Sequence, residues 1–138
     1  AGTTTSRFGL DVYNGSGVRI AGIALRFAAG TTTQAQFTTI AGTQVNSNVT
    51  TAVGSWYTLR IDLNTTANQA SFFLDGALLS TRPYTTDDSI IGDVDLFVSA
   101  TGYDIGRFDN YSVAAVPEPA SMAVIGLGLA ALRRRRKG

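Results

Sequence analysis

From Ser6 to Val113 the apolar residues come in short runs that alternate with polar ones, and no stretch there carries a 3.6-residue period. A period of two places successive side chains on opposite faces of an extended strand, so the chain is predicted to be all-β, in antiparallel sheets with one buried face. Phe8, Leu10 and Val12 share a face of the first strand, and Asn14-Gly15-Ser16-Gly17 is a hairpin turn. Residues 20–27 form the second strand, with Ala21, Ile23, Leu25 and Phe27 on one face. Residues 33–40 and a weaker 43–46 continue the meander, and the polar stretch 46–54 reads as a loop. The clearest strand is 56–63, with Tyr57, Leu59, Ile61 and Leu63 inward and Thr58, Arg60 and Asp62 outward. The next strand, 69–74, runs into Asp75-Gly76, a type I′ turn signal. In the closing stretch 107–113, Phe108 falls on the face opposite Tyr111 and Val113. Apolar residues on both faces predict a central strand there.

Charge divides the chain. Residues 1–115 hold six Arg and nine Asp, net −3, whereas residues 116–138 carry net +4, so the overall +1 averages two unlike parts. A mildly acidic domain lacks the clustered basic surface that nucleic acid requires, so no nucleic-acid partner is expected. Cysteine is absent, which excludes a disulfide framework and thiolate chemistry. Ala1-Gly2-Thr3-Thr4-Thr5-Ser6 has neither a basic start nor an apolar run, so the β-sandwich domain at 1–115 is expected to be N-terminally incomplete.

The last stretch has three parts in a fixed order. Val116-Pro117-Glu118-Pro119 removes two backbone donors and favours an extended, exposed segment. Residues 120–132 are an apolar run, about 20 Å long as a helix against the roughly 30 Å hydrocarbon core of a bilayer. Arg133, Arg134, Arg135, Arg136 and Lys137 then form a basic cytoplasmic tail, 133–138, of the kind that holds a chain end on the inner side of a membrane. The flanks make 120–132 a short transmembrane helix rather than a core element. This order resembles the PEP-CTERM sorting signal of Gram-negative envelope proteins, with 116–119 as the sorting motif. The resemblance implies an exosortase that recognises Pro117, Glu118 and Pro119 and releases the domain. It implies transient anchoring in the inner membrane, then a place at the cell surface or in the extracellular matrix, where polysaccharide is the expected partner.

A second resemblance covers about 56–113. The Trp-led strand, the polar turn 64–68, the aromatic strand ending in Asp75-Gly76 and the closing Arg107-Phe108-Asp109-Asn110-Tyr111-Ser112-Val113 are similar to concanavalin A-like, laminin G-like jelly-roll domains. That likeness implies an antiparallel jelly-roll sandwich and leaves three roles open: a lectin-like binding module, a structural matrix protein without a specific ligand, or a glycan-modifying enzyme.

Residue chemistry narrows these roles. Histidine is absent and Glu118 is the only glutamate, so residues 1–115 lack the paired Glu that glycan-cleaving relatives of this fold use. Asp93 and Asp95 are the best substitute. Two apart on a strand they share a face at roughly 6.5–7 Å, near the lower edge of inverting-glycosidase spacing. Asp residues flanking a strand start are usually solvated or cap a turn, so no catalytic residue is assigned and no enzymatic activity is expected. Asp87, Asp88 and Asp93 make an acidic loop whose oxygens suit calcium, against the plainer reading of a hydrated loop. No other cofactor is expected. For stacking on sugar rings the candidates are Trp56, Tyr84 and Tyr103, with Tyr13 beside them and Asn46, Asn48 and Arg82 as polar partners. The alternatives for these rings are structural: Trp56 at the sandwich edge and Tyr103 closing a turn.

Overall fold

A computed structural model describes residues 5–28, 34–39, 44–84, 91–99 and 106–115. The chain divides into two compact units, Ala1–Gly106 and Arg107–Gly138.

The first unit is all-β. Its strands are β1 (Thr5–Asn14), β2 (Arg19–Ala28), β3 (Gln34–Thr39), β4 (Gln44–Thr50), β5 (Leu59–Asn64), β6 (Gln69–Leu74), β7 (Ala77–Pro83) and β8 (Ile91–Ser99). They form a five-stranded sheet in the order β4-β3-β2-β1-β8 and a three-stranded sheet in the order β5-β6-β7. Every pairing is antiparallel. Sequential strands are neighbours within each sheet; the chain changes sheet between β4 and β5 and again between β7 and β8, and β8 returns to pair with β1.

Parity along the strands decides what is buried. Phe8, Leu10 and Val12 lie opposite Leu25, Ile23 and Ala21 on one side and Val98, Leu96 and Val94 on the other, so one face of the larger sheet is apolar across three strands. Leu59, Ile61 and Leu63 face Leu74, Phe72 and Ala70 in the smaller sheet in the same way. The core joins both sheets: Val12, Ile20, Ala21 and Ile23 from one, Ala70, Phe72 and Tyr84 from the other.

Turn chemistry follows the residues. Asn14 Oδ1 accepts the N–H groups of Ser16 (3.1 Å) and Val18 (2.8 Å), closing the β1–β2 turn. Asp75 and Gly76 have φ of 49° and 81°, the two left-handed residues of the expected type I′ hairpin, and Gly76 takes this conformation without a Cβ penalty.

Three expectations change. First, the strand expected to start at Trp56 begins at Leu59. Side-chain bonds hold the preceding residues as a loop: Thr58 N–H donates to Asp75 Oδ1 (2.7 Å), and Ala52 N–H donates to the Tyr57 hydroxyl (2.7 Å). Second, 46–50 is strand rather than loop, because β4 is a sheet edge where polar side chains on both faces can stay wet. Third, residues 107–115 of the second unit carry no strand or helix, so 107–113 is not a central strand. Asn110 is left-handed, with φ 54°, and its N–H is taken by the Asp109 carboxylate (2.8 Å), which interrupts an extended run. Among the described residues no helix is long and apolar enough to cross a membrane, and the 120–132 helix of the sequence reading lies outside them.

Candidate functional site

The outer face of the five-stranded sheet is polar where the inner face is apolar, and it forms a shallow trough of about 270 Å³. The same parity that sets Leu10 and Val12 against the core puts Arg7, Gly9, Asp11 and Tyr13 on the opposite face. The strand register sets Arg7 opposite Arg26, Gly9 opposite Ala24, Asp11 opposite Gly22 and Tyr13 opposite Arg19. From the other side β8 brings Ser99, Phe97, Asp95 and Asp93 against those four β1 positions. The trough is therefore graded. Arg7 lines one end and Asp11 with Arg19 the other; on the same outer face the register adds Arg26 beside Arg7, and Asp93 and Asp95 on the Asp11 side.

Small residues make room for the trough. A Cβ on Gly22 would collide with the Asp11 carboxylate, which lies folded over that position. Glycine inside a strand marks such a close approach. Asp11 is consequently only 6 % exposed. Its carboxylate meets Arg19 Nη1 at 3.2 Å and bonds the Tyr13 hydroxyl. Burial pushes the Asp11 carboxyl above its ordinary range; Arg19 opposes the shift and the facing Asp95 adds to it. The Tyr13 hydroxyl is raised too, by burial first and then by the Asp11 charge.

On the other side of the floor a polar chain crosses three strands. Arg7 Nε donates to Gln36 Oε1 at 3.1 Å, and Gln36 Nε2 donates to Asn46 Oδ1 at 2.5 Å. Arg7 starts on β1 and Gln36 sits on β3, so the arginine stem passes over β2 beside Ala24, whose short side chain leaves the space. Gln44, exposed at the β4 edge, completes this wall.

The pairing of Arg19 with Asp11 makes a prediction. Arg19→Ala strands a buried carboxylate beside Asp95, and because Arg19 is itself partly exposed the loss of stability at neutral pH is expected to be about 2 kcal/mol. Asp11 titrates above its unfolded value, so its charge disfavours folding above that range and the penalty vanishes on acidification, once the carboxyl is protonated. Urea denaturation of both proteins at pH 7 and near pH 4 should show the gap closing at the lower pH. A pH-independent gap would mean that Arg19 acts through packing alone.

Several sequence candidates sit elsewhere. Trp56 is 68 % exposed but lies in the loop before β5, not in the trough. Tyr84 is a correction: it is 3 % exposed, belongs to the core, and donates its hydroxyl to the Asn64 carbonyl (3.4 Å), so it offers no ring face to a ligand. Burial also raises its hydroxyl pKa. Asp93 is a second correction: it is inside β8 rather than on a loop, and it shares the outer face with Asp95 as that pair's spacing predicts. Asp87, Asp88, Tyr103 and the tail residues 116–138 lie outside the described residues. Among the described residues no three acidic side chains converge as metal ligands. The trough residues Arg7, Asp11, Arg19 and Gln36 escape sequence reading because each is simply the polar alternate of a strand. The signal that marks them is Gly9 and Gly22 inside otherwise well-formed strands.

Residues 115–137 match the family model described as the PEP-CTERM protein-sorting motif. No curated protein and no solved structure matches the chain. The motif supports an exported protein, anchored in the membrane before processing and sorted by its C-terminal signal.

Proposed function

We propose that this sorted protein is a non-enzymatic glycan-binding module of the cell surface or extracellular matrix, with the outer trough of its five-stranded sheet as the contact face for extracellular polysaccharide. A concanavalin A-like, laminin G-like jelly-roll ancestry of the two packed antiparallel sheets belongs to the same proposal. The observation that carries it is the trough itself: an open, small-residue floor walled by planar polar side chains at Arg7, Gln36 and Gln44, with Asn46 bonded to Gln36 beside it. Its volume of about 270 Å³ falls below the roughly 300–1,000 Å³ of pockets that enclose small molecules. A polymer laid across the strands needs no enclosure. Planar amides and guanidinium groups suit sugar hydroxyls, which present donors and acceptors together. Asp11 is engaged by Arg19 and Tyr13, so it organises the floor rather than acting as a proton donor.

The test uses the full chain in detergent micelles, sedimented with exopolysaccharide purified from the producing organism. Gln44→Ala should weaken saturable binding about fivefold, the worth of one hydrogen bond of about 1 kcal/mol, while Trp56→Ala should leave it unchanged. A folded chain that does not bind, or binding abolished only by Trp56→Ala, would sink the assignment to the trough. A chelator arm tests calcium at Asp87, Asp88 and Asp93, where loss of binding would bring the metal into the site.

A further inference from the structure

We infer that the polysaccharide bound by the trough is anionic, a polymer of carboxylate-bearing sugars, and that Arg7 and Arg26 form the subsite for the carboxylate. This rests on the glycan-binding reading above and specifies its ligand. Arg7 and Arg26 are direct cross-strand partners on the outer face of β1 and β2. Like charges placed opposite one another destabilise a sheet. Two other arginines of the fold have a carboxylate partner: Arg19 is paired with Asp11, and Arg60 with Asp62 at 3.1 Å, where it also lies over the Phe73 ring. Among the described residues no carboxylate pairs with Arg7 or Arg26. Both are only half-buried, so the pair stands on the wet face of the sheet, open to a ligand.

Arg7 is also pre-positioned. Its Nε is held by Gln36, itself 7 % exposed and braced by Asn46, which leaves the two terminal Nη groups for the fork that matches a carboxylate. A hydrogen-bonded guanidinium loses little freedom when a ligand arrives. On the same outer face, at the end away from Arg7, Asp93 and Asp95 disfavour a polyanion, so the anionic group is directed to the Arg7–Arg26 end.

The experiment uses the full chain in micelles with two probes, polygalacturonate and the same polymer with its carboxyls reduced to neutral galactan. Polygalacturonate should bind, and the reduced polymer should bind at least tenfold more weakly. Arg26→Gln should weaken polygalacturonate binding about tenfold while the thermal midpoint holds or rises, because a repulsive pair has been removed. Arg7→Lys, which keeps the charge but loses the fork, should weaken it as well. The basic tail is a competing polyanion site, so each measurement is repeated with Arg133 to Arg136 changed to Gln. Binding that persists in Arg26→Gln and Arg7→Lys and disappears only with the tail change would overturn the inference. Equal binding of both polymers, sensitive to Gln44→Ala, would overturn the anionic specificity and leave the glycan-binding trough standing. Failure to bind either probe or the native exopolysaccharide would remove the trough reading itself.

Discussion

Phe72→Ala is expected to lower the unfolding free energy by about 3–5 kcal/mol, a large share of the roughly 5–15 kcal/mol that holds a domain of this size together. Phe72 is completely buried in β6, the central strand of the smaller sheet, opposite Ile61 on β5 and Ser80 on β7. It belongs to the cluster that joins Val12, Ile20 and Ile23 of the larger sheet to Ala70 and Tyr84 of the smaller. Among the completely buried side chains Phe72 and Ile23 are the largest, and Phe72 is the larger of the two. Removing the ring leaves a cavity that a rigid pair of sheets cannot close. Phe72→Leu, which nearly conserves volume, should cost less than about 1.5 kcal/mol. Urea denaturation separates the cases: the midpoint should fall sharply for the alanine variant with the slope unchanged. A loss below about 1 kcal/mol would show that the sheets do not pack through this residue.

The second large effect concerns the tail. In producing cells the mature protein is expected to end at or near Pro119, and changing Pro117 and Pro119 together to Ala should leave nearly all of it unprocessed in the membrane fraction, with residues 120–138 attached. The reason is conformational as well as chemical. Proline lacks the backbone donor a helix needs and disfavours helical conformation in the residue before it, so the sequence is not expected to let a helix begun in the apolar run grow backwards through 116–120. With alanine in their place, the strongest helix former, the helix can extend through Glu118 and withdraw the extended segment that a processing enzyme must grip. Intact mass of the wild-type protein from such cells decides the matter, and a mass that still includes Arg133 to Gly138 would refute processing at this motif.

Strand parity was legible because it is local. The alternation at Phe8, Leu10, Val12 and at Leu59, Ile61, Leu63 follows from the geometry of an extended chain, and the structure places each set on one buried face. The Asp75-Gly76 hairpin was legible for the same reason, since its left-handed pair needs residues that tolerate positive φ. The limits of β5 and the fate of 107–113 were not, because hydrogen bonds from Asp75 and Asp109 side chains outweighed strand propensity there. Trp56 and Tyr84 were chosen as aromatic residues near loops. Exposure and burial separate them, and burial depends on what the chain folds back to cover.

By itself the sequence determined the all-β class, the face-sharing sets of β1, β2 and β5, and the ordered sorting tail matched at residues 115–137. Those depend on neighbours a few positions apart and on the order of residues along the chain. Tertiary structure alone decided that β8 returns beside β1, which sets Asp95 against Asp11 and Ser99 against Arg7 and so builds the graded trough. Register between strands far apart in sequence is chosen by the packing of their apolar faces. The polar outer face is carried along with it, so its charge pattern is written in no single stretch of the chain.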